Sequence, residues 1–189
     1  RLLEPIGYHM VSRGDGTEGD CMVRVDIESV VMTSGPMPMP SVVVLRERKG
    51  DGAKDAPARA LSIQTGAYEA AAIGHGIDFS RQSDRPLAHD LVLRLVKELG
   101  AKVGRIEINR WESPVFYADV VFDRGGEDTE FRIDARPSDA LALAVRANAP
   151  IYVEDDVMNR AGKAVGKSDS KDEIERFDEF VQTLSPDDF

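Results

Sequence analysis

Residues Asp134 to Glu154, DARPSDALALAVRANAPIYVE, leave a folding chain few choices. A run of Ala, Leu and Val this dense calls for burial, yet it is entered through Arg136, Pro137, Ser138 and Asp139. Pro is accepted at the first helical position because the N–H it lacks would be unpaired there anyway. Asp in the first turn complements the positive end of the helix dipole. Asn148 takes a left-handed cap readily, and Pro150 forbids continuation. The spacing predicts a helix from about Pro137 to Ala147, apolar on nearly every face and so held between layers of structure. Its polar groups gather at its N-terminus.

The 189 residues suit one compact domain plus tails, and 42% hydrophobic content is enough for a core. No stretch approaches the roughly 18 apolar residues of a membrane span. No positively charged start leads into an apolar run, so no secretion signal is expected. The lone Cys21 excludes an internal disulfide and fits a reducing cytoplasm. A net charge of −10 argues against loose, charge-driven binding of nucleic acid. Half of it sits in residues 165–189, which carry eight acids and three bases, so a local basic groove elsewhere is still permitted.

Residues 1–20 lack periodicity and read as a disordered leader or a remnant of an expression vector. The domain is expected over residues 22–160. MVRVDIESVVM alternates Val23, Val25 and Ile27 against Arg24, Asp26 and Glu28, a half-buried strand. SVVVLRER and RALSIQ supply two more, and a short helix, about Ala67 to Gly74, follows Gly66 and leaves His75 in a loop. PLAHDLVLRLVKELG is the clearest helix, with Leu87, Leu91, Val92, Leu95, Val96 and Leu99 on one face and Gly100 as its stop. VGRIEINRW, PVFYADVVF and TEFRIDA form strands joined by tight turns, the second at Gly125-Gly126. A brief helix lies near Asp155–Arg160. Residues 161–189 read as an acidic linker with Gly162 and Gly166, then an amphipathic helix carrying Ile174, Phe177, Phe180, Val181 and Leu184. Short turns between neighbouring strands make the sheet mainly antiparallel, with helices in a second layer: an α+β fold.

Both long helices start alike. Asp84-Arg85-Pro86 precedes one and Asp134-Ala135-Arg136-Pro137 the other, with Asp90 and Asp139 in or near the first turns. Helix N-termini offer unpaired N–H groups and partial positive charge to phosphates, and Arg adds a bidentate fork. If the two starts meet, one pocket holds two Arg, several carboxylates and His89. That set suits metal-assisted phosphodiester cleavage by Mg²⁺ or Mn²⁺, with a His to carry the proton. Simple capping with a surface ion pair fits the same spacing. Glu69, among small residues in GAYEAAAIG, fits either a pocket or a solvated helix face. Asp134 ends a strand whose other face is Phe131 and Ile133, so its carboxylate points away from that core. Trp111, Phe116 and Tyr117 suit base stacking or packing. No zinc-type His/Cys cluster, phosphate-binding Gly loop or Gly-x-Ser-x-Gly turn is present.

DARPSDALALAVRANAPIYV, RPLAHDLVLRLVKELGA and LSIQTGAYEAAAI, in this order and spacing, closely resemble the bifunctional nuclease domain family, over roughly Met22 to Arg160. The resemblance implies a mixed, mainly antiparallel sheet with packed helices, nuclease activity on DNA and RNA, and self-association into a homo-oligomer. Its polar motif positions fall here on Glu69, Arg85, His89, Asp90, Asp134, Arg136, Ser138 and Asp139. Ala88 replaces a usual Thr, Asn148 a usual Gly, and Gln64-Thr65 a more apolar pair. In the nuclease reading Glu69, Asp90, Asp134 and Asp139 hold the divalent metal. His89 moves the proton beside the catalytic acids Asp90, Asp134 and Asp139, and Arg85, Arg136 and Ser138 grip phosphate. The alternative is a non-catalytic regulatory module whose helix starts hold an anionic ligand or a protein partner.

Overall fold

The computed structural model describes residues 21–32, 40–48, 58–78, 85–126 and 129–165. Eight strands form one sheet: β1 (Met22–Val31), β2 (Ser41–Glu47), β3 (Ala58–Thr65), β4 (Lys102–Glu112), β5 (Val115–Asp123), β6 (Glu130–Ala135), β7 (Ile151–Glu154) and β8 (Lys163–Val165). Their spatial order is β6-β5-β4-β7-β1-β2-β3-β8. Every neighbouring pair is antiparallel except β4 and β7, which run parallel with Ile106 beside Ile151. Four helices lie among the described residues: α1 (Ala67–Ile77), α2 (Ala88–Glu98), α3 (Pro137–Ala147) and α4 (Asp155–Ala161). The α+β class with a mixed, mainly antiparallel sheet is therefore the observed one. The leader and the C-terminal amphipathic segment lie outside the described residues.

Period-two alternation decides which sheet face is covered. Val25, Val43, Leu45, Leu61, Ile63, Ile106, Ile108, Val120 and Val153 point one way and are buried with Ile73 of α1, Leu141 of α3 and Met158 of α4. Each such side chain contributes roughly 1.5–3 kcal/mol on burial. Arg24, Asp26 and Glu28 point the other way and are exposed. α3 runs through the middle of the helical layer, with Ala140 to Ala144 all buried. Its bounds match the sequence expectation, and Asn148 closes it with φ 50°.

Two local expectations are corrected. α1 continues past Gly74 to Ile77, so His75 lies on its last turn and not in a loop. The reason is a close approach: a Cβ on buried Gly76 would meet Arg146 Nη1 at 2.9 Å and the Val145 side chain closer still. Glycine serves contact with α3 there, and helix termination is not its role. Residues 163–165, expected as linker, add β8 to the β3 edge. The apolar stripe of α2 lies mostly outward, for no α2 residue is fully buried. Leu93 and Val96 pack inward, whereas Leu91, Leu95 and Leu99 are exposed.

Arg146 ties the helical layer together. Its side chain is only 8% exposed, and Nε donates to Asp90 Oδ1 of α2 at 2.9 Å. Nη1 donates to the Ala72 carbonyl of α1 at 2.8 Å and to the Ala142 carbonyl of α3 at 2.9 Å. Arg146→Met keeps the apolar stem and strips these bonds, leaving Asp90 without its cation. We expect about 2–4 kcal/mol of destabilisation in urea unfolding. Arg146→Lys should recover only a minor part, since one ammonium does not span the three acceptors in the same geometry.

Candidate functional site

The first turns of α1, α2 and α3 meet. Glu69 is the third residue of α1, His89 the second of α2, and Asp139 the third of α3; Arg136 is the N-cap of α3. Arg136 Nε and Nη2 donate to Asp139 Oδ2 and Oδ1 at 2.7 and 3.2 Å, a bidentate fork. Its Nη1 donates to Glu69 Oε1 at 3.2 Å. His89 Nε2 lies 3.3 Å from Asp139 Oδ1. One guanidinium thus joins two carboxylates from different helices, and a third helix adds the imidazole.

Each part follows from local sequence. Gly66, Leu87 and Arg136 occupy the N-cap positions, and none has a side-chain oxygen to accept from the first-turn N–H groups. Gly66 also leaves room for Glu69, whose carboxylate folds back over it where a Cβ would collide. At α2 the cap is inverted: Asp90 Oδ2 accepts the Leu87 N–H at 2.8 Å. Arg136 is 65% exposed and so open to a solvent-borne ligand, whereas His89 is mostly covered at 18%.

The Arg136 fork holds the Asp139 carboxyl below the usual carboxylate range, with His89 adding to it and burial opposing. The same two acids hold Arg136 still more firmly protonated, Asp139 chiefly. An ionised Asp139 only accepts hydrogen bonds, so His89 Nε2 carries the proton between them. Nδ1 of a neutral His89 is then the basic nitrogen.

Of the residues singled out from sequence, Glu69, His89, Arg136 and Asp139 come together. Ser138 is half-buried in the same first turn of α3. Arg85 is exposed two residues before the N-cap of α2. Two acids stand elsewhere. Asp90 turns both oxygens into the scaffold, one on Leu87 and one on Arg146. Burial raises its pKa, and these two donors outweigh that, so it rests below the usual range. Asp134 is exposed on β6 opposite Asp119, on the sheet face away from the helices. Among the described residues no group of three or more His, Cys, Asp or Glu is placed to hold a metal ion. Glu69 and Asp139 are the carboxylates that remain in the cluster, and both are bonded to Arg136.

Sequence reasoning missed Arg146 and Gly66. A charge inside an Ala/Leu/Val helix was the available signal for the first. Trp111 and Phe116 stack on each other with centroids 6.0 Å apart and pack against the core, and Arg160 lies over Trp111. Tyr117 is covered by the Arg110 guanidinium at 3.7 Å. Packing is the use the structure gives them.

Residues 43–166, which hold all three converging helix starts, match the bifunctional nuclease domain. The chain belongs to the bifunctional nuclease domain family. An uncharacterized protein of Mycobacterium tuberculosis, from each of two strains, is 39% identical over 159 residues, spanning 78% of this chain and 87% of the relative. Bifunctional nuclease 2 of Oryza sativa subsp. japonica is 33% identical over 70 residues, which is 36% of this chain but only 22% of the rice protein. The bifunctional nuclease domain match begins inside β2, although β1 sits at the centre of the sheet between β7 and β2.

The depressed pKa values set a pH signature for the domain. A carboxyl lowered on folding adds stability above its unfolded pKa and loses it as pH falls through the folded value. Asp90 and Asp139 should therefore help near neutrality and cease to help below the ordinary carboxylate range. Chemical unfolding at about pH 7 and about pH 3 checks this: Asp90→Asn should shrink the stability difference between the two. An unchanged difference would mean that Asp90 is not held by Arg146 and the Leu87 N–H as an ionised carboxylate.

Proposed function

We propose that this domain hydrolyses phosphodiester bonds in DNA and RNA with little sequence preference, at the meeting point of α1, α2 and α3. The observation that carries the reading is the convergence of three helix starts lacking side-chain N-caps around an exposed Arg and a paired His–Asp. Helix N-termini and Arg136 favour the non-bridging oxygens of a phosphate, with Ser138 in the same first turn as Asp139 and Arg85 on the segment that enters α2. A polymer read only through its phosphates is read without regard to sequence or sugar. That suits both nucleic acids.

The chain's own residues then divide the work. Asp139 orients the His89 imidazole through Nε2–H. Nδ1 takes a proton from the attacking water as the new P–O bond forms and the bond to the leaving oxygen breaks. Arg136 offsets the charge gathering on phosphorus oxygens, and the imidazolium or solvent returns a proton to the leaving alkoxide. A divalent ion, Mg²⁺ or Mn²⁺, belongs to the proposal with Glu69 and Asp139 as its protein ligands; it would supply Lewis acidity at phosphorus. Asp90 and Asp134 stand outside that pair. Among the described residues no helix is long and apolar enough to cross a membrane, and the lone cysteine favours a cytoplasmic setting.

The second reading, a non-catalytic module that binds an anion or a partner, also has an observation behind it. Arg136 is already shared by two carboxylates, and the whole chain carries −10. Purified protein with Mg²⁺ or Mn²⁺ should cut both DNA and RNA, measured as release of acid-soluble nucleotide. Asp139→Asn and His89→Ala should each lower the rate about 10²-fold or more without lowering the unfolding midpoint enough to unfold the chain. Activity that survives both changes would place the chemistry elsewhere. An inactive wild type that still binds phosphate polymers in calorimetry would favour the module.

A further inference from the structure

Tyr68 is the aromatic side chain that the fold leaves unused. It is 91% exposed, whereas every other aromatic ring among the described residues is buried or half-buried. Single exposed apolar residues are ordinary. Here the position is what informs: Tyr68 is the second residue of α1, and the next residue, Glu69, accepts from Arg136. We propose that Tyr68 is the platform on which a nucleobase of the substrate stacks while the adjoining phosphate lies on Arg136. This rests on the reading of the three-helix cluster as a phosphodiester site and adds to it a residue that selects unpaired strands.

The local geometry keeps the ring free. Successive residues of a helix point about 100° apart. Glu69 turns back over Gly66 and across to Arg136, so Tyr68 stands beside the cluster and not within it. Residues three and four positions on share its side of the helix, and these are Ala71 and Ala72. Gly66 and Ala67 precede it, both exposed. No bulky neighbour on α1 covers the ring. Tyr117, by contrast, is capped by the Arg110 guanidinium.

The electrostatics give stacking a purpose. The chain carries −10, and Arg136 is already shared by Glu69 and Asp139. Charge alone therefore draws a polyanion weakly. Contact between ring and base supplies an attraction that the acidic surroundings do not oppose. It is tolerant of sequence, because every base has a π-face. It is not tolerant of pairing: bases in a duplex are stacked on one another, and only a splayed base reaches an aromatic side chain. Single-stranded DNA and RNA are the substrates this arrangement favours.

Calorimetry on the full chain tests this, in a His89→Ala background with Mg²⁺ so that cutting is slow. The probes are a short oligodeoxyadenylate, the same backbone bearing abasic sites throughout, and the oligomer paired with its complement. The single strand should bind about tenfold or more tightly than the abasic backbone of equal charge. Tyr68→Ala should erase that difference and leave the affinities for the abasic backbone and the duplex unchanged, with the unfolding midpoint kept because the ring lies outside the core. Tyr68→Trp should keep or enlarge it. Arg136→Gln should weaken all three probes and flatten their dependence on salt. A base preference that survives Tyr68→Ala overturns the inference, as does an equal loss on every probe. Indifference to Arg136→Gln with the Tyr68 effect intact would overturn the phosphate reading of the cluster and keep the stacking residue. A protein that binds no probe overturns both.

Discussion

A single buried guanidinium, that of Arg146, fixes how three helices sit over the sheet. Apolar contacts alone hold α3 down, but a face of Ala, Leu and Val is nearly featureless and specifies neither rotation nor register of its neighbours. Bonds from Arg146 to Asp90, to the Ala72 carbonyl and to its own helix are directional. They pair a charge that would be costly to bury alone. The N-terminal turns of α1 and α2 are thereby aimed at the start of α3, and the polar cluster is the result. Gly76 supports the arrangement sterically, since any side chain there would push α1 away from Val145 and Arg146.

The cluster is electrostatically closed in its resting form. Arg136 satisfies Asp139 with two bonds and Glu69 with one, and His89 completes Asp139. A phosphate arriving there competes with carboxylates for the same donors. The three helix starts and the exposure of Arg136 weigh on the ligand's side, and the acidic chain weighs against it. Affinity in such a site is expected to come from the substrate's repeated charges and from any metal that accompanies it, more than from one preformed contact.

Much of this is legible in the sequence alone. Pro137 and Asn148 bound α3 through the chemistry of helix ends, which is local and so survives folding. Alternation placed Val23, Val25 and Ile27 on one face of β1, and the same parity turned Asp134 away from the helices. The mixed sheet and the family followed from motif order. What stayed hidden depends on tertiary partners. Asp90 at the third helical position serves equally as cap, ion-pair partner or ligand until Arg146, 56 residues later, arrives beside it. The α2 wheel shows a wide apolar arc, but periodicity does not say which edge meets the core. His89 shares the inner edge with Leu93 and Val96, and this brings the imidazole to Asp139. Gly76 reads as a breaker in sequence and as a contact point in space.

The position of β1 carries a consequence for where this domain can be cut. The matched span begins at residue 43, within β2, yet β1 bridges β7 on one side and β2 on the other. Without it the sheet falls into two halves, β6-β5-β4-β7 and β2-β3-β8, each with a raw hydrogen-bonding margin and half of a shared apolar floor. Such margins recruit other chains. A fragment trimmed to the matched span would thus keep every residue of the polar cluster and lose the strand that joins the two halves of its floor.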